Sequence, residues 1–170
     1  MKSIIIYSSL TGNTKQVAEA IARVLPADTL CVSMSELPSD IASYDLVFAG
    51  FWVDKGTANK EACDVLGTLH NPHIALFATA GVPPQMEHAK QSLVNAAACL
   101  PEGVVPVDTF ICQGKVDPKV IEMMYKMFPK GHSHGQSADR DARHKQAAVH
   151  PNEDDCKAAS QFAKHVLDLI

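Results

Sequence analysis

Three uninterrupted apolar segments constrain the fold of this chain most strongly. They are residues 4–6, residues 44–51 ("YDLVFAGF") and residues 73–81 ("HIALFATAG"), and none has the polar alternation of a half-exposed strand. Strands of this kind are buried on both faces, as in a parallel sheet that is covered by helices. Two weaker segments, "TLCVSM" and "VVPVDTFICQG", bring the number of predicted strands to five.

Helical patterns separate the predicted strands. After the first strand, apolar residues recur at helical spacing from Val17 to Leu25, and the helical segments 58–69 and 86–100 follow the next two long strands. Strands that alternate with helices form parallel βαβ units with right-handed crossovers. The sequence therefore predicts an α/β fold, a doubly wound five-stranded parallel sheet with helices on both faces. We expect a single domain of residues 1–170.

Composition and charge exclude several classes of protein. The net charge of -4 gives no basic footprint for nucleic acid. No apolar run approaches the roughly 20 residues of a membrane span, so we expect a cytoplasmic protein. The cysteines are far apart and lack a C-x-x-C motif, which predicts neither a disulfide framework nor a zinc module. We interpret four as small buried residues and leave Cys112 open; the five are Cys31, Cys63, Cys99, Cys112 and Cys156.

The polar segment 129–152 is rich in turn-forming residues, and a last amphipathic helix is predicted after it, over 152–170. The segment contains His132, His134, His144 and His150, whose spacing matches no standard zinc site. We therefore predict no metal site and expect exposed loop histidines.

A loop rich in hydroxyl groups, "SSLTGNT" (residues 8–14), follows the first strand. It precedes a helix, where unpaired N–H groups and the helix dipole favour an anion. The loop lacks both the Gly-Lys-Ser/Thr ending of a nucleoside triphosphate site and the three glycines of a dinucleotide site. Its hydroxyl and amide groups suit a monophosphate dianion. A turn and N-cap without a ligand is the alternative.

This loop and the helix after it resemble the FMN phosphate loop of the flavodoxin family, whose pattern is roughly T/S-x-T-G-x-T. The order of the predicted strands and helices also resembles that family over nearly the whole chain. The resemblance implies a strand order of 2-1-3-4-5, a bound FMN and electron transfer. It also implies that the FMN phosphate contacts a first loop made of Ser9, Leu10, Thr11, Gly12, Asn13 and Thr14. Leu10 would contribute only its backbone N–H.

By the same resemblance, two further loops contact the flavin ring. In the second loop Trp52 would pack on the ring, and the Gly56 peptide would flip beside flavin N5. The second loop comprises Phe51, Trp52, Val53, Asp54, Lys55, Gly56 and Thr57, and the third comprises Thr79, Ala80 and Gly81. The third loop continues as Val82-Pro83-Pro84 where electron-carrying flavodoxins usually have a tyrosine. One ring face is therefore expected to be open or covered by something else.

The resemblance favours an FMN-binding electron carrier that docks with redox partner proteins, a reductase and an acceptor enzyme. No side chain is assigned as catalytic. The alternative is an FMN-dependent reductase of an organic acceptor, a quinone or a tetrapyrrole. The missing tyrosine and the long polar segment favour it. The stretches "GFWVDKGTANK" and "HPNEDD" also resemble small bacterial flavodoxin-like proteins, some of which are associated with bilirubin reduction.

Overall fold

The computed structural model describes all 170 residues, which form six strands and six helices. The strands are β1 Ser3–Tyr7, β2 Leu30–Ser33, β3 Leu46–Asp54, β4 Thr57–Ala58, β5 His73–Ala80 and β6 Thr109–Gln113. The helices are α1 Asn13–Ala22, α2 Lys60–Leu66, α3 Glu87–Ala97, α4 Pro118–Met127, α5 Ala138–Ala147 and α6 Glu153–Leu169. Two short 3-10 turns, Met34–Glu36 and Ile41–Ser43, join β2 to β3.

Five of the strands form a parallel sheet in the order β2-β1-β3-β5-β6. The remaining strand, β4, has two residues and pairs antiparallel with the end of β3. When β4 is set aside, the parallel strands have the order 2-1-3-4-5, which confirms the predicted topology. The order reverses direction between β1 and β3, and ligands of such sheets bind beside the carboxyl ends of the strands at this point.

The sheet separates two hydrophobic core layers. Ile4 and Ile6 lie in the layer under α2 and α3, whereas Ile5 lies in the layer under α1 and α6. Successive side chains of a strand point to opposite faces, and all three isoleucines are 0% exposed. Because both faces are covered, the long strands need no polar alternation.

The carboxyl-terminal helix α6 begins with a capping box at Asn152, which agrees with the helix predicted for this segment. The Asn152 side chain accepts hydrogen bonds from the amides of Asp154 and Asp155, and the Asp155 carboxylate accepts one from the Asn152 amide at 2.8 Å. This exchange satisfies N–H groups that have no partner within the helix. None of the six helices has both the length and the apolar sequence that crossing a lipid bilayer requires.

The expectation that segment 129–152 consists of turns is wrong for α5, Ala138–Ala147. Ser137 caps this helix through its hydroxyl, which accepts a hydrogen bond from the Arg140 amide at 3.2 Å. Asp139 and Asp141 lie in its first turn and the cationic Lys145 lies in its last turn, as the helix dipole favours. The helix lacks a broad apolar stripe, so a search for hydrophobic periodicity does not find it.

The expectation that the cysteines form no disulfide is wrong for Cys63 and Cys99, which the structure pairs. Cys63 lies on α2 and Cys99 follows α3, and their Cα atoms are 5.3 Å apart. The neighbouring positions of these helices bring together residues 36 apart in sequence. Cys112, by contrast, is a free thiol in the core. Burial raises its pKa well above the usual range, which keeps the thiol protonated and unreactive.

Helices α4 and α5 contact each other through Tyr125 and His144. The Tyr125 hydroxyl donates to Asp141 at 2.9 Å, and the Tyr125 and His144 ring centroids are 6.1 Å apart. Both ring nitrogens of His144 are buried without a hydrogen-bond partner. Burial lowers the pKa of His144, the charges of Arg140 and Arg143 lower it further, and Asp141 opposes them. The expectation that the histidines of this segment are exposed is therefore wrong for His144.

We predict that Gly50→Ala destabilises the protein. A Cβ atom at Gly50 would overlap the ring of Phe77, which is 0% exposed and has no free space to move into. Overpacking of this kind costs about 1–3 kcal/mol, measurable as a lower free energy of unfolding in urea. Gly67→Ala is the control, since the atoms nearest to its added Cβ are 3.5 Å away. Equal stability of the two variants would contradict the prediction.

We also predict that His144 makes stability decrease as the pH falls below 6.5, the ordinary pKa of histidine. Because the pKa is lower in the folded state, the unfolded chain binds a proton where the folded chain does not, so protonation favours unfolding. The loss develops between the unfolded pKa and the lower folded pKa. His144→Leu should reduce the pH dependence of the urea midpoint in this range, and the exposed His165→Leu should not. An unchanged dependence in His144→Leu would refute this role.

Candidate functional site

The carboxyl ends of β1, β3, β5 and β6 surround a cleft of about 600 Å³, which includes space open to solvent. Nine of the predicted site residues line it: Leu10, Thr11, Asn13, Trp52, Val53, Asp54, Thr79, Ala80 and Gly81. The structure thus brings together parts of all three predicted loops. The other predicted residues lie in the same loops without lining the cleft; they are Ser9, Gly12, Thr14, Phe51, Lys55, Gly56 and Thr57.

The first loop presents the start of α1 to the cleft. Gly12 is the N-cap residue with a φ of 88°, a left-handed conformation that glycine adopts without steric cost. Gly12 has no side chain that could cap α1, and no acidic residue lies in the first turn of the helix. The Ser9 hydroxyl accepts hydrogen bonds from the amides of Gly12 and Lys15, at 3.1 and 3.4 Å. The loop therefore combines hydroxyl groups with the positive end of a helix dipole, a combination that favours an anion.

A buried hydrogen bond joins the first loop to the third. The hydroxyl oxygens of Thr14 and Thr79 are 3.0 Å apart, and Thr14 is 0% exposed. The Thr14 side chain therefore lies beneath the cleft, where it supports the first loop.

The second loop has two parts with different surroundings. Trp52, Val53 and Asp54 end β3 and line the cleft, whereas the Phe51 side chain is buried in the core layer under α2 and α3. Trp52 pairs with Thr79 of β5, so the end of β3 lies directly beside the third loop.

The rest of the second loop is a tight hairpin turned toward α3. Lys55 and Gly56 connect β3 to β4 with φ values of 50° and 79°, which two-residue hairpin turns require. The Gly56 carbonyl accepts a hydrogen bond from the Asn95 side chain at 2.7 Å. A flip of the Gly56 peptide therefore has to break this bond, and the role of Gly56 stays a prediction.

Buried polar groups also connect the first loop to the second. The side-chain amide of Asn59 donates a hydrogen bond to the Ser8 hydroxyl at 2.8 Å, and its backbone N–H donates one to the Trp52 carbonyl at 3.1 Å. Ser8 in turn donates to the Glu61 carboxylate. Asn59 therefore determines how the end of β3 lies relative to the start of the first loop.

A fourth segment, which the sequence did not assign to cofactor binding, completes the cleft. It follows β6 and contributes Gly114, Lys115, Val116, Asp117 and Val120. Lys115 is the one cationic side chain of the lining, and Asp54 and Asp117 are its two carboxylates. Asp117 caps α4 by accepting a hydrogen bond from the Lys119 amide at 2.8 Å. The sequence offers one signal that this segment lines the cleft, which is its position. It follows the fifth parallel strand, so it starts at the same edge of the sheet as the other three loops.

The four histidines of segment 129–152 lie outside the cleft lining. His132 and His134 are exposed and their rings lie beside Phe128, while His150 is 2.6 Å from the Asp155 carboxylate. No group of three or more His, Cys, Asp or Glu side chains is arranged to hold a metal ion.

The fold and the cleft together define a doubly wound α/β protein with a cleft at the carboxyl edge of its parallel sheet. Residues 4–164 match the model of a family described as flavodoxin domain. The chain therefore belongs to the flavodoxin family. Membership of this family supports the interpretation of the chain as a flavin-binding electron-transfer protein.

Curated relatives match over nearly their full length. The chain is 34% identical over 174 residues to the flavodoxin-like domain-containing protein BilS of Clostridioides difficile (strain CD3), covering 98% of this chain and 97% of that protein. It is also 34% identical over 179 residues to the BilS protein of Clostridium symbiosum (strain WAL-14163), covering 95% and 94%.

Solved structures share the fold at low sequence identity. Oxidised flavodoxin 2 from Bacillus cereus superposes with a TM-score of 0.59 at 16% identity and 100% coverage of both chains. A flavoprotein from Lactobacillus acidophilus NCFM, solved in complex with FMN, superposes with a TM-score of 0.51 at 17% identity. That match covers 65% of this chain and 93% of the flavoprotein.

We predict that Thr14→Val and Thr79→Val each destabilise the protein. Either substitution leaves one buried hydroxyl group without its partner, which costs about 1–3 kcal/mol of unfolding free energy. The double variant removes both hydroxyl groups while keeping the shapes of the side chains. Its loss of unfolding free energy should therefore be smaller than the sum of the losses in the two single variants. Urea unfolding of the four proteins measures this difference. Strictly additive losses would show that the two hydroxyl groups do not interact.

Proposed function

We propose that this chain binds one FMN non-covalently in the cleft and carries electrons between redox partner proteins, a reductase and an acceptor enzyme. The observation that carries the proposal is the polarity of the cleft. The first loop has hydroxyl and amide groups at the start of a helix whose first turn has no acidic residue, and the end of β3 has the apolar side chains of Trp52 and Val53. A ligand with a phosphate at one end and a flat apolar ring at the other fits this polarity.

The first loop has suitable chemistry for the phosphate of FMN. Thr11 and Asn13 line the cleft, and the first amides of α1 have no acceptors within the helix. We assign Ser9, Leu10, Thr11, Gly12, Asn13 and Thr14 to the phosphate loop, in which Thr14 acts from below through Thr79. A helix dipole and neutral donors bind a dianion without a lysine, which agrees with the absence of lysine from residues 8–14.

The ends of β3 and β5 have suitable chemistry for the isoalloxazine ring. Trp52 is the single tryptophan of the chain and lines the cleft beside Thr79. An indole ring provides a large, rigid apolar surface for a flat ligand. When bound, FMN would supply the redox chemistry, and the side chains of the cleft would orient the ring and exclude water.

Electron transfer to a partner requires access to the cleft from solvent. Leu10 lines the cleft and is 58% exposed, so the first loop offers an apolar contact at the opening. An electron carrier needs no acid or base beyond its cofactor, and we assign no such role to Asp54, Lys115 or Asp117. The alternative, direct reduction of a quinone or tetrapyrrole, is favoured by the absence of an aromatic residue from Val82-Pro83-Pro84 and by the long polar segment 129–152.

The first test is flavin binding by the purified protein. We expect uptake of one FMN per chain, measured by fluorescence titration. Thr11→Ala should weaken FMN binding by about tenfold, because it removes a hydrogen bond to a charged group. Riboflavin lacks the phosphate, so it should bind the wild type and Thr11→Ala with equal affinity. Thr68→Ala is the control, since Thr68 is exposed and lies outside the cleft lining. A protein that takes up no FMN would refute the proposed function.

A second test separates the carrier from the enzyme. The FMN-loaded protein is mixed with NADPH and either a quinone or bilirubin, without and with a flavodoxin reductase of broad specificity. A carrier should become reduced only when the reductase is present. Rapid oxidation of NADPH by the loaded protein alone, coupled to reduction of the organic acceptor, would instead establish the alternative.

A further inference from the structure

We propose that Val116 and Val120 form the second wall of the flavin-ring site and hold the ring against the side of the cleft formed by Trp52. This inference rests on the proposed function, because it requires FMN in the cleft. In this proposal the segment after β6 covers the face of the flavin ring that an aromatic residue of the third loop would otherwise cover.

The sheet order determines where this wall lies. β5 is located between β3 and β6. Trp52 of β3 pairs with Thr79, and Gln113 of β6 pairs with Ala80. Residues 79–81 therefore form the floor of the cleft, and the segments after β3 and β6 form its two sides. Val116 and Val120 are the apolar side chains of the β6 side, and both are half-buried.

Val116 packs directly on the third loop. A Cβ atom added to Gly81 would lie 2.5 Å from Val116 Cγ2, closer than carbon atoms approach each other. Gly81 must therefore have no side chain if Val116 is to lie over this backbone. The third loop, which has no aromatic residue of its own, is thus covered by a valine from the segment after the neighbouring strand β6.

Hydrogen bonds anchor the segment to its surroundings on three sides. The Asn13 side chain donates to the Lys115 carbonyl at 2.8 Å, and the Gly114 amide donates to the Ala80 carbonyl at 2.8 Å. The Lys115 amide donates to the His150 carbonyl at 2.9 Å. The wall is therefore fixed to the first loop, to the third loop and to the start of α6.

Glycine and the cap of α4 complete the positioning of the wall. A Cβ atom at Gly114 would lie 2.8 Å from the Asn13 side-chain nitrogen, so Gly114 leaves room for the bond from Asn13 to Lys115. The Asp117 carboxylate caps α4 and orients its first turn, in which Val120 lies. The site thus has a wall in place before a ligand binds, and little side-chain entropy is lost on binding.

This wall should act on the ring and leave the phosphate unaffected. Burying the valine methyl groups against an apolar ring removes water from both surfaces. Truncation of either valine to alanine should therefore weaken FMN and riboflavin binding by the same factor. The phosphate-loop variant Thr11→Ala differs, because it should affect FMN alone.

The test uses Val116→Ala, Val120→Ala and Val120→Asp, with Val94→Ala as the matched control. Val94 lies on α3, is 63% exposed and is absent from the cleft lining. We expect each alanine variant to weaken both flavins by about fivefold to tenfold, from the loss of about two buried methyl groups. Val120→Asp should have a larger effect because it places a charge against the ring, and Val94→Ala should have none. Helix α4 has no buried residue, so Val120→Asp should remain folded, which circular dichroism checks.

A gain-of-function variant adds an independent readout. Val120→Tyr places an aromatic ring on this wall, and we expect tighter flavin binding and stronger quenching of the bound flavin fluorescence. Unchanged affinity for both flavins in Val116→Ala and Val120→Asp, in a protein whose wild type binds FMN, overturns this inference alone. A wild type that binds no FMN overturns the proposed function and this inference together.

Discussion

The hydrogen bond between the hydroxyl groups of Thr14 and Thr79 is the interaction on which the cleft depends. It joins the start of α1 to the end of β5 across residues 65 apart in sequence. Both side chains are buried, and a buried hydroxyl without a partner is costly. The two loops are therefore held at one distance from each other, and the floor of the cleft is fixed relative to the start of α1.

Similar polar connections extend from this bond around the whole edge of the sheet. Asn59 connects the first loop to the end of β3, and Asn13 connects it to the segment after β6. Each of these asparagines bonds to a residue distant in sequence, so the connections form only after the parallel strands have aligned. The cleft is consequently a property of the assembled sheet, and each loop depends on its neighbours for its conformation.

The proposed binding of a phosphate by a loop without a lysine depends on this arrangement. Lys115 is the one cation of the lining, and under the proposed function the helix dipole and the hydroxyl groups would supply the remaining attraction for the phosphate. Two glycines, Gly81 and Gly114, allow the β6 segment to approach the other loops closely. Under the proposed function the protein would provide binding and orientation, while the flavin would supply the redox chemistry. Membership of the flavodoxin family at 34% identity to full-length relatives is consistent with this division.

The sequence by itself determined the α/β class, the parallel character of the sheet and the location of the first loop. Those features follow from local patterns, such as the unbroken apolar run at residues 4–6 and the hydroxyl-rich stretch before α1. Only the tertiary structure decided the pairing of Cys63 with Cys99, the buried position of Thr14 and the wall formed by Val116 and Val120. Contacts between residues far apart in sequence create these features, and no local pattern records which distant residues will meet. Helix α5 combines both situations. Its N-cap residue, Ser137, could be recognised in the sequence, but the polar composition of the helix gave no hydrophobic periodicity from which to predict it.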